Sequence, residues 1–169
     1  MAQPRLKQFR KSSTNSRPAK RIDPADYART GDEHSHQVAL FMWAAEQIAS
    51  GRFPELAMMF AIPNGGERNI AVAARLKAEG VKAGVPDIFL PVPRHGVAGL
   101  FLELKRPKAE GKRQGSAQDN QSEWIGKLQA QGFGAAVVYG YEAARDMLIQ
   151  YLSNFPVEGA DVVRSMGYV

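Results

Sequence analysis

The chain contains no cysteine, and it has no apolar run long enough to cross a membrane. The absence of cysteine excludes disulfide bonds, a cysteine nucleophile and zinc sites built on thiolates. The absence of a long apolar run, and of the shorter apolar core of a secretory signal, argues against a membrane protein and a secreted one. We therefore expect a soluble protein of the cytoplasm, or of the host cytoplasm if the chain is viral, with no membrane partner.

Acidic residues are missing from the first 22 residues, which carry seven Lys or Arg. Residues 1–30 hold eight basic residues against two acidic ones, whereas residues 31–169 hold fourteen against fifteen, so this segment supplies the excess behind the net charge of +5. A basic segment with so few apolar residues is predicted to be disordered. It could be an arm that binds a polyanion, a solvated terminus or an organelle presequence.

The remaining chain is long enough for one domain with a full core, in keeping with an apolar content of 44%. We predict a disordered basic tail over residues 1–30, one folded domain over 31–155 and a C-terminal extension over 156–169. The predicted order of elements is α-β-α-β-β-α-β-α, which is typical of an α/β fold with a mixed β-sheet flanked by helices.

The element boundaries follow from periodicity and from turn residues. The first helix is predicted from Asp32 to near Gly51, with Val38, Phe41, Met42, Ala45 and Ile48 facing inward. A strand is predicted over 56–62, a helix over 70–79, strands over 86–92 and 99–105, a helix over 116–131, a strand over 133–139 and a helix over 142–152. Trp124, Ile125 and Leu128 form the inward stripe of the 116–131 helix, and Trp43 and Trp124 are read as core residues rather than as platforms for base stacking.

The two central strands carry the candidate chemistry. Residues 99–105 alternate with period two, which places Glu103 and Lys105 on one face of the strand, opposite the leucines. If the hairpin turn is centred on His95, Asp87 faces Glu103 across the strands, with Cβ atoms about 5 Å apart.

Two carboxylates at that distance repel each other unless a cation or the lysine compensates. Mg²⁺ meets the requirement because it prefers oxygen ligands and keeps several of its waters. We therefore expect a Mg²⁺ site at Asp87 and Glu103, with Mn²⁺ able to substitute. The plainer alternative is an exposed ion pair between Glu103 and Lys105.

Basic and glycine-rich segments predict contacts with phosphate. The turn at Pro63-Asn64-Gly65-Gly66 has backbone amides that could bind an anion, although it could also be an ordinary turn. Five of the nine residues over 105–113 are basic. The predicted DNA-binding residues are Asn64, Gly65, Gly66, Arg68, Lys82, Arg106, Lys108, Lys112 and Arg113.

Some polar residues call for specific partners and others do not. Gln121 borders the core, and burying an unpaired amide costs about 1 to 3 kcal/mol, so we expect Gln121 to be hydrogen-bonded to a particular group. His34 and His36 are two residues apart on a helix and point in different directions, so both are expected to be exposed rather than to bind a metal. His95 is expected to be a turn residue.

Together these residues resemble the VRR-NUC domain (virus-type replication-repair nuclease) of the PD-(D/E)xK superfamily, whose core is shared with restriction endonucleases. The resemblance covers residues 32–152. The matching pieces are Glu33 with Gln37 one turn on, Pro63-Asn64-Gly65-Gly66 followed by Arg68, Gly80-Val81 leading to Gly84-Val85-Pro86-Asp87, Glu103-Leu104-Lys105, and Gln121 before Trp124.

The resemblance implies a role for each member of the set. Asp87 and Glu103 would be metal ligands, and Glu33 would be a further acid at the metal. Lys105 would activate the water or stabilise charge on the phosphorane, and Gln121 would support the site. Some alternatives stay open. Asp32 could take the role of Glu33, and Glu33 could serve only to favour the helix N-terminus through the helix dipole. Gln118, one turn before Gln121, is an alternative to Gln121.

The implied activity is that of a Mg²⁺-dependent, structure-selective DNA endonuclease that leaves a 5′-phosphate. Stand-alone members of the family resemble Holliday-junction resolvases, so the expected partner is four-way junction or other branched duplex DNA, bound by a homodimer. The alternatives are a less selective DNA-nicking nuclease in replication or repair, a catalytically inactive DNA-binding module, and an RNA-directed or protein-binding role carried by the tail.

Overall fold

The computed structural model describes residues 22–29, 31–63, 70–108 and 119–153. Its α-helices are α1 (Pro24–Ala28), α2 (Glu33–Ala49), α3 (Ile70–Ala78), α4 (Asp119–Ala130) and α5 (Gly140–Leu152), with a turn of 3-10 helix at Pro54–Met58. Its strands are β1 (Phe60–Ala61), β2 (Ile88–Leu90), β3 (Leu100–Lys105) and β4 (Gly134–Tyr139). After α1, the α-helices and strands follow the predicted order, so the predicted fold class is confirmed. Within these residues no helix combines the length and the apolar character needed to cross a membrane.

The four strands form one mixed sheet in the order β1-β2-β3-β4. The first three strands pair antiparallel, and β4 runs parallel to β3. A parallel pair requires a crossover connection, and α4 lies in the connection between β3 and β4. The sheet therefore combines the β2–β3 hairpin, the βαβ unit of β3, α4 and β4, and β1 paired antiparallel with β2.

The two faces of the sheet differ in chemistry. The leucines at positions 100, 102 and 104 of β3 lie in a hydrophobic core with residues of α2 and α5, including Leu40 and Leu148. On the opposite face, Phe101 stacks on Phe89 with ring centroids 4.0 Å apart, and Phe133 packs edge-on against both rings. The predicted alternation of β3 is confirmed, and it leaves Glu103 and Lys105 on the face of the aromatic rings.

Helix α2 begins as predicted, since the Asp32 carboxylate accepts a hydrogen bond from the Ser35 backbone N–H at 2.7 Å. The predicted inward face is wrong. The buried residues are Ser35, His36, Ala39, Leu40, Trp43 and Ala44, whereas Val38, Phe41 and Met42 are half-buried and Ala45 and Ile48 are exposed. The helix is apolar on two sides, and the side with the small residues Ala39 and Ala44 packs closest to its neighbours.

His36 is buried, which contradicts the prediction that both histidines are exposed; His34 is exposed as expected. The Nδ1 atom of His36 accepts a hydrogen bond from the Tyr141 backbone N–H at 3.1 Å. Tyr141 lies in the first turn of α5, where backbone N–H groups lack partners within the helix. His36 therefore supplies an acceptor that the start of α5 needs.

The predicted strand over 56–62 is wrong in its first half. Pro54 opens a turn of 3-10 helix in which Leu56 N–H donates to Phe53 O and Met59 N–H donates to Leu56 O. This turn points Leu56 into the core, where it is 2% exposed. Only Phe60 and Ala61 pair as a strand.

The start of the folded unit also differs from prediction. Pro24–Ala28, predicted to be part of the disordered tail, forms α1, and Ala28 belongs to the hydrophobic core. The Asp23 carboxylate caps this helix by accepting from the Ala25 N–H at 2.8 Å. Residues 1–21 and 30 of the predicted tail lie outside the described residues.

The first three residues of the helix predicted over 116–131 fall outside the described residues. The helix itself is confirmed from Asp119 to Ala130. Its stripe of Trp124, Ile125 and Leu128 is only half-buried, so Trp124 is not a core residue. Trp43 is, with 7% of its surface exposed.

Candidate active site

The β2–β3 hairpin has the predicted register. Ile88 pairs with Leu102 and Leu90 with Leu100, so each pair of numbers sums to 190. Continued by one residue, the same register sets Asp87 opposite Glu103.

The turn of the hairpin contains His95, as predicted, and its centre lies between His95 and Gly96. Arg94 and Val97 exchange two backbone hydrogen bonds, of 3.2 and 2.9 Å, around His95 and Gly96. Both central residues have positive φ, 50° and 78°, as a two-residue hairpin turn of the primed type requires. His95 is therefore a turn residue, as expected.

Glu103 is the most enclosed polar residue of the site, with no exposed surface. Its Oε1 atom lies 2.6 Å from the Lys105 ammonium and also accepts a hydrogen bond from the Gln121 amide. Its Oε2 atom is buried and accepts no hydrogen bond from any residue that the structure describes. The prediction that Gln121 has a specific partner is confirmed.

Asp87 is held mainly by backbone groups. The Leu104 N–H donates to Asp87 Oδ2 at 3.2 Å, and the Asp87 carbonyl accepts from the Ile62 N–H at 2.6 Å. Neither contact can be predicted from the sequence, because main-chain donors leave no signal in residue type. They tie Asp87 to β3 on one side and to the end of β1 on the other.

Burial raises the pKa of Glu103 to about 7; the charge of Asp87 acts in the same direction, and Lys105 opposes it. Burial also raises the pKa of Asp87. Burial alone would lower the pKa of Lys105, but its hydrogen bond to Glu103 and the nearby carboxylates raise that pKa overall. One ammonium thus compensates a cluster of acids incompletely, which is the situation that a bound cation relieves.

Glu33 lies at the margin of this cluster. Its Oε2 atom is 3.9 Å from the Lys105 ammonium, and half of its side chain is exposed. Within the described ranges, no group of three or more His, Asp or Glu side chains is close enough to hold a metal ion. The role of Glu33 as a ligand stays a prediction. Asp32 acts as the helix cap, and its hydrogen bonds with Ser35 lower its pKa.

The residues present fit a hard divalent cation. Mg²⁺ in proteins is commonly held by one or two carboxylates and keeps several waters, so a third acid is not required. Asp87 and Glu103 provide such a pair, and the buried Glu103 Oε2 is an acceptor with no donor among the residues that the structure describes. An acceptor in that state is otherwise costly to bury.

Only part of the predicted DNA-binding set lies within the described residues. Lys82 and Lys108 are exposed, and Arg106 is half-buried directly after Lys105. Asn64, Gly65, Gly66, Arg68, Lys112 and Arg113 lie outside the described residues, as does Gln118. Their contact with DNA stays a prediction.

Comparisons with known proteins place the chain in a family. The model of the VRR-NUC domain matches residues 32–142. A solved structure described as a VRR-NUC domain protein is similar with 29% sequence identity and a TM-score of 0.58, over 72% of this chain and 88% of that one. No curated protein sequence matches the chain. Since the matched region spans more than half of the sequence and contains Glu33, Asp87, Glu103, Lys105 and Gln121, the chain belongs to the VRR-NUC family, which is of nuclease type.

Proposed function

We propose that this protein is a Mg²⁺-dependent, structure-selective endonuclease that hydrolyses phosphodiesters of branched DNA. The observation that carries the proposal is the environment of Glu103. A carboxylate with no exposed surface lies beside Lys105 and Asp87, and one of its oxygens accepts no hydrogen bond from the described residues. If Glu103 and Lys105 formed only a structural ion pair, neither the second carboxylate of Asp87 nor a Glu103 oxygen left without a donor would be expected.

Asp87 and Glu103 would hold the cation, with Glu33 as a further acid on the side of Lys105. When bound, Mg²⁺ would polarise the scissile phosphate and lower the pKa of a water. The protein fixes both carboxylates before any metal binds: Gln121 and Lys105 hold Glu103, and the Leu104 N–H holds Asp87. Such preorganisation limits the rearrangement that the reaction requires.

Lys105 keeps its charge at neutral pH because the surrounding carboxylates raise its pKa. Its ammonium is 2.6 Å from Glu103 and 3.9 Å from Glu33, on the strand face where the phosphate would bind. From there it would orient the attacking water and offset the negative charge that develops on the phosphorane. The cleavage product would carry a 5′-phosphate.

The proposed substrate is a four-way junction or another branched duplex, bound by a homodimer in the cytoplasm. The net charge of +5 and the basic first 22 residues support a polyanionic partner. Lys82, Arg106 and Lys108 add positive charge on segments that enter and leave the site.

A cleavage assay on matched substrates tests the proposal. A synthetic four-way junction and a linear duplex made from the same arm sequences would be incubated with Mg²⁺, with Mn²⁺ or with EDTA. We expect cuts on the junction with either metal, slower cuts on the duplex and none with EDTA. Equal rates on both DNAs would favour the less selective nicking nuclease. Binding without any metal-dependent cut would leave only a DNA-binding module.

A further inference from the structure

We propose that α4 is a two-point clamp on the metal-site carboxylates, and that Trp124 is a positioning residue that sets Asp87 relative to Glu103. The inference rests on the proposed function, because it assigns to Trp124 an effect on metal affinity. One end of the clamp is the contact of Gln121 with Glu103 on β3. The other end lies on the segment before Asp87.

The second contact joins α4 to the loop that leads into β2. The indole Nε1–H of Trp124 donates to the Ala83 carbonyl at 3.0 Å, across 41 residues of sequence. Gln121 and Trp124 are three residues apart, so both side chains extend from the same side of the helix. A single rigid helix thus contacts both segments that carry the carboxylates.

Gly84 makes the close approach of this loop possible. A Cβ at position 84 would lie 2.9 Å from the Asn120 carbonyl oxygen, and Gly84 has a φ of +86° that other residues rarely adopt. The backbone of the loop therefore lies directly on the first turn of α4. Contact with Asn120 and contact with Trp124 fix neighbouring residues of the loop.

The position of this loop is passed on to Asp87. Asp87 is three residues beyond Gly84, and Pro86 restricts the backbone between them. Pro86 is also fully buried, so it cannot move outward without displacing the residues packed around it. A change in how the loop sits on α4 thus moves the Asp87 carboxylate relative to Glu103.

The clamp depends on few side chains. No residue of α4 is buried, so a small number of half-buried contacts holds the helix in place. Trp124 is one of them, and the Lys127 ammonium lies 5.9 Å from its ring centroid. Loss of the indole N–H should therefore loosen the loop, because no tightly packed interface between the loop and α4 would keep it in place.

The test is Trp124→Phe, which keeps an aromatic ring and removes the N–H donor. Metal affinity is measured by calorimetry with Mg²⁺ alone, and the exchange of backbone amide hydrogens over residues 83–87 is measured in EDTA. Loss of one hydrogen bond should weaken Mg²⁺ binding by about two- to tenfold and speed exchange in the loop by a similar factor. Cleavage at saturating Mg²⁺ should return towards the wild-type rate.

Trp43→Phe is the matched control, since Trp43 is a core residue of α2 outside the site. It should lower the melting temperature while Mg²⁺ affinity and exchange over residues 83–87 stay as in the wild type. A second pair needs no change of aromatic ring: Gly84→Ala should weaken Mg²⁺ binding, whereas Gly126→Ala, with open space around its added Cβ, should not.

Failure of the clamp and failure of the proposed function give different results. If the wild type binds Mg²⁺ and Trp124→Phe binds it equally well with unchanged exchange, the clamp is wrong. If the wild type neither binds Mg²⁺ nor cuts DNA, the proposed function is wrong, and faster exchange over residues 83–87 in Trp124→Phe still supports the clamp.

Discussion

The Glu103 side chain is completely buried, and Lys105 neutralises the surrounding carboxylates only in part. Its pKa of about 7 means that, near neutral pH and without metal, a proton competes with the charged form that a cation would bind. Lys105 lowers this pKa, while burial and Asp87 raise it. The free energy of the metal-free protein should therefore depend strongly on Lys105 and on pH.

Lys105→Met should destabilise the metal-free protein because it leaves a buried carboxylate without its cation. We expect a loss of about 3 kcal/mol in the free energy of unfolding at pH 8, as for other buried pairs that lose one partner. The loss should shrink at pH 6, where Glu103 can take up a proton instead. Urea denaturation in EDTA at both pH values measures it.

Lys127→Met is the control for that experiment. Its ammonium is also 2.6 Å from a carboxylate, Glu123, but both side chains are more than 60% exposed. An exposed pair contributes little, so this variant should unfold like the wild type at both pH values. Equal effects of the two substitutions would contradict the assigned environment of Lys105.

Because His36 is buried, we expect the stability of the folded protein to fall at acidic pH. Burial lowers its pKa below the ordinary 6.5, although Glu142 and Asp32 oppose the shift. The unfolded chain therefore takes up a proton at a higher pH than the folded protein, so the stability that neutral His36 provides is complete above 6.5 and is lost as the pH falls below it. His36→Asn keeps an acceptor for the Tyr141 N–H and removes the titration. Its melting temperature should fall less than that of the wild type between pH 7.5 and 5.5; parallel curves would refute this role.

At the scale of elements, the features that could be predicted from the sequence are those that follow from the period of two along a strand and from the symmetry of a hairpin. The period of two in β3 and the symmetry of the hairpin about His95 sufficed to pair Asp87 with Glu103. Gln121 could be placed because a half-buried amide needs a partner. These are the residues on which the candidate site depends.

Other elements could not be predicted from local pattern. Helix α2 is apolar on two sides, and only its packing against α5 and the sheet decides that Leu40 is inside and Ile48 outside. The segment after Phe53 has strand-like composition, but Pro54 and the burial of Leu56 favour a 3-10 turn. Tertiary contacts overrode local preference in both cases.

The corrected face of α2 gives a direct prediction. Leu40 is fully buried and Ile48 is 36% exposed. Leu40→Ala should therefore reduce the free energy of unfolding by about 2 to 5 kcal/mol, the range for large-to-small substitutions in a core. Ile48→Ala should cost much less. Equal losses of unfolding free energy in the two variants, measured by urea denaturation, would instead support the inward face of α2 that was predicted from the sequence.

At the scale of the whole molecule, the homodimer stays a prediction. Burial excludes some of the surfaces through which two copies could pair. The ring of Trp43 and the apolar residues Leu148, Tyr151 and Leu152 of α5 are buried within the molecule. They cannot pair two copies. The outer side of α2, where Val38, Phe41 and Met42 are half-buried, is still available.

Paired cleavage of a four-way junction needs two active sites related by a two-fold axis, and the described part of each chain carries one candidate site. Sedimentation at micromolar concentration should therefore give about twice 18.5 kDa, with and without junction DNA. A species that stays monomeric on the junction would exclude concerted resolution. It would instead favour a nuclease that nicks one strand at a time.

We propose that Asp87 and Glu103 hold a catalytic cation and do not serve to bind DNA. The decisive experiment compares cleavage and binding of the same four-way junction by Asp87→Ala, Glu103→Ala and the wild type in Mg²⁺. We predict that both substitutions abolish cleavage and leave DNA affinity equal or slightly higher, because each removes negative charge near the phosphates. Cleavage by either variant at close to the wild-type rate would show that these two carboxylates are not the metal ligands.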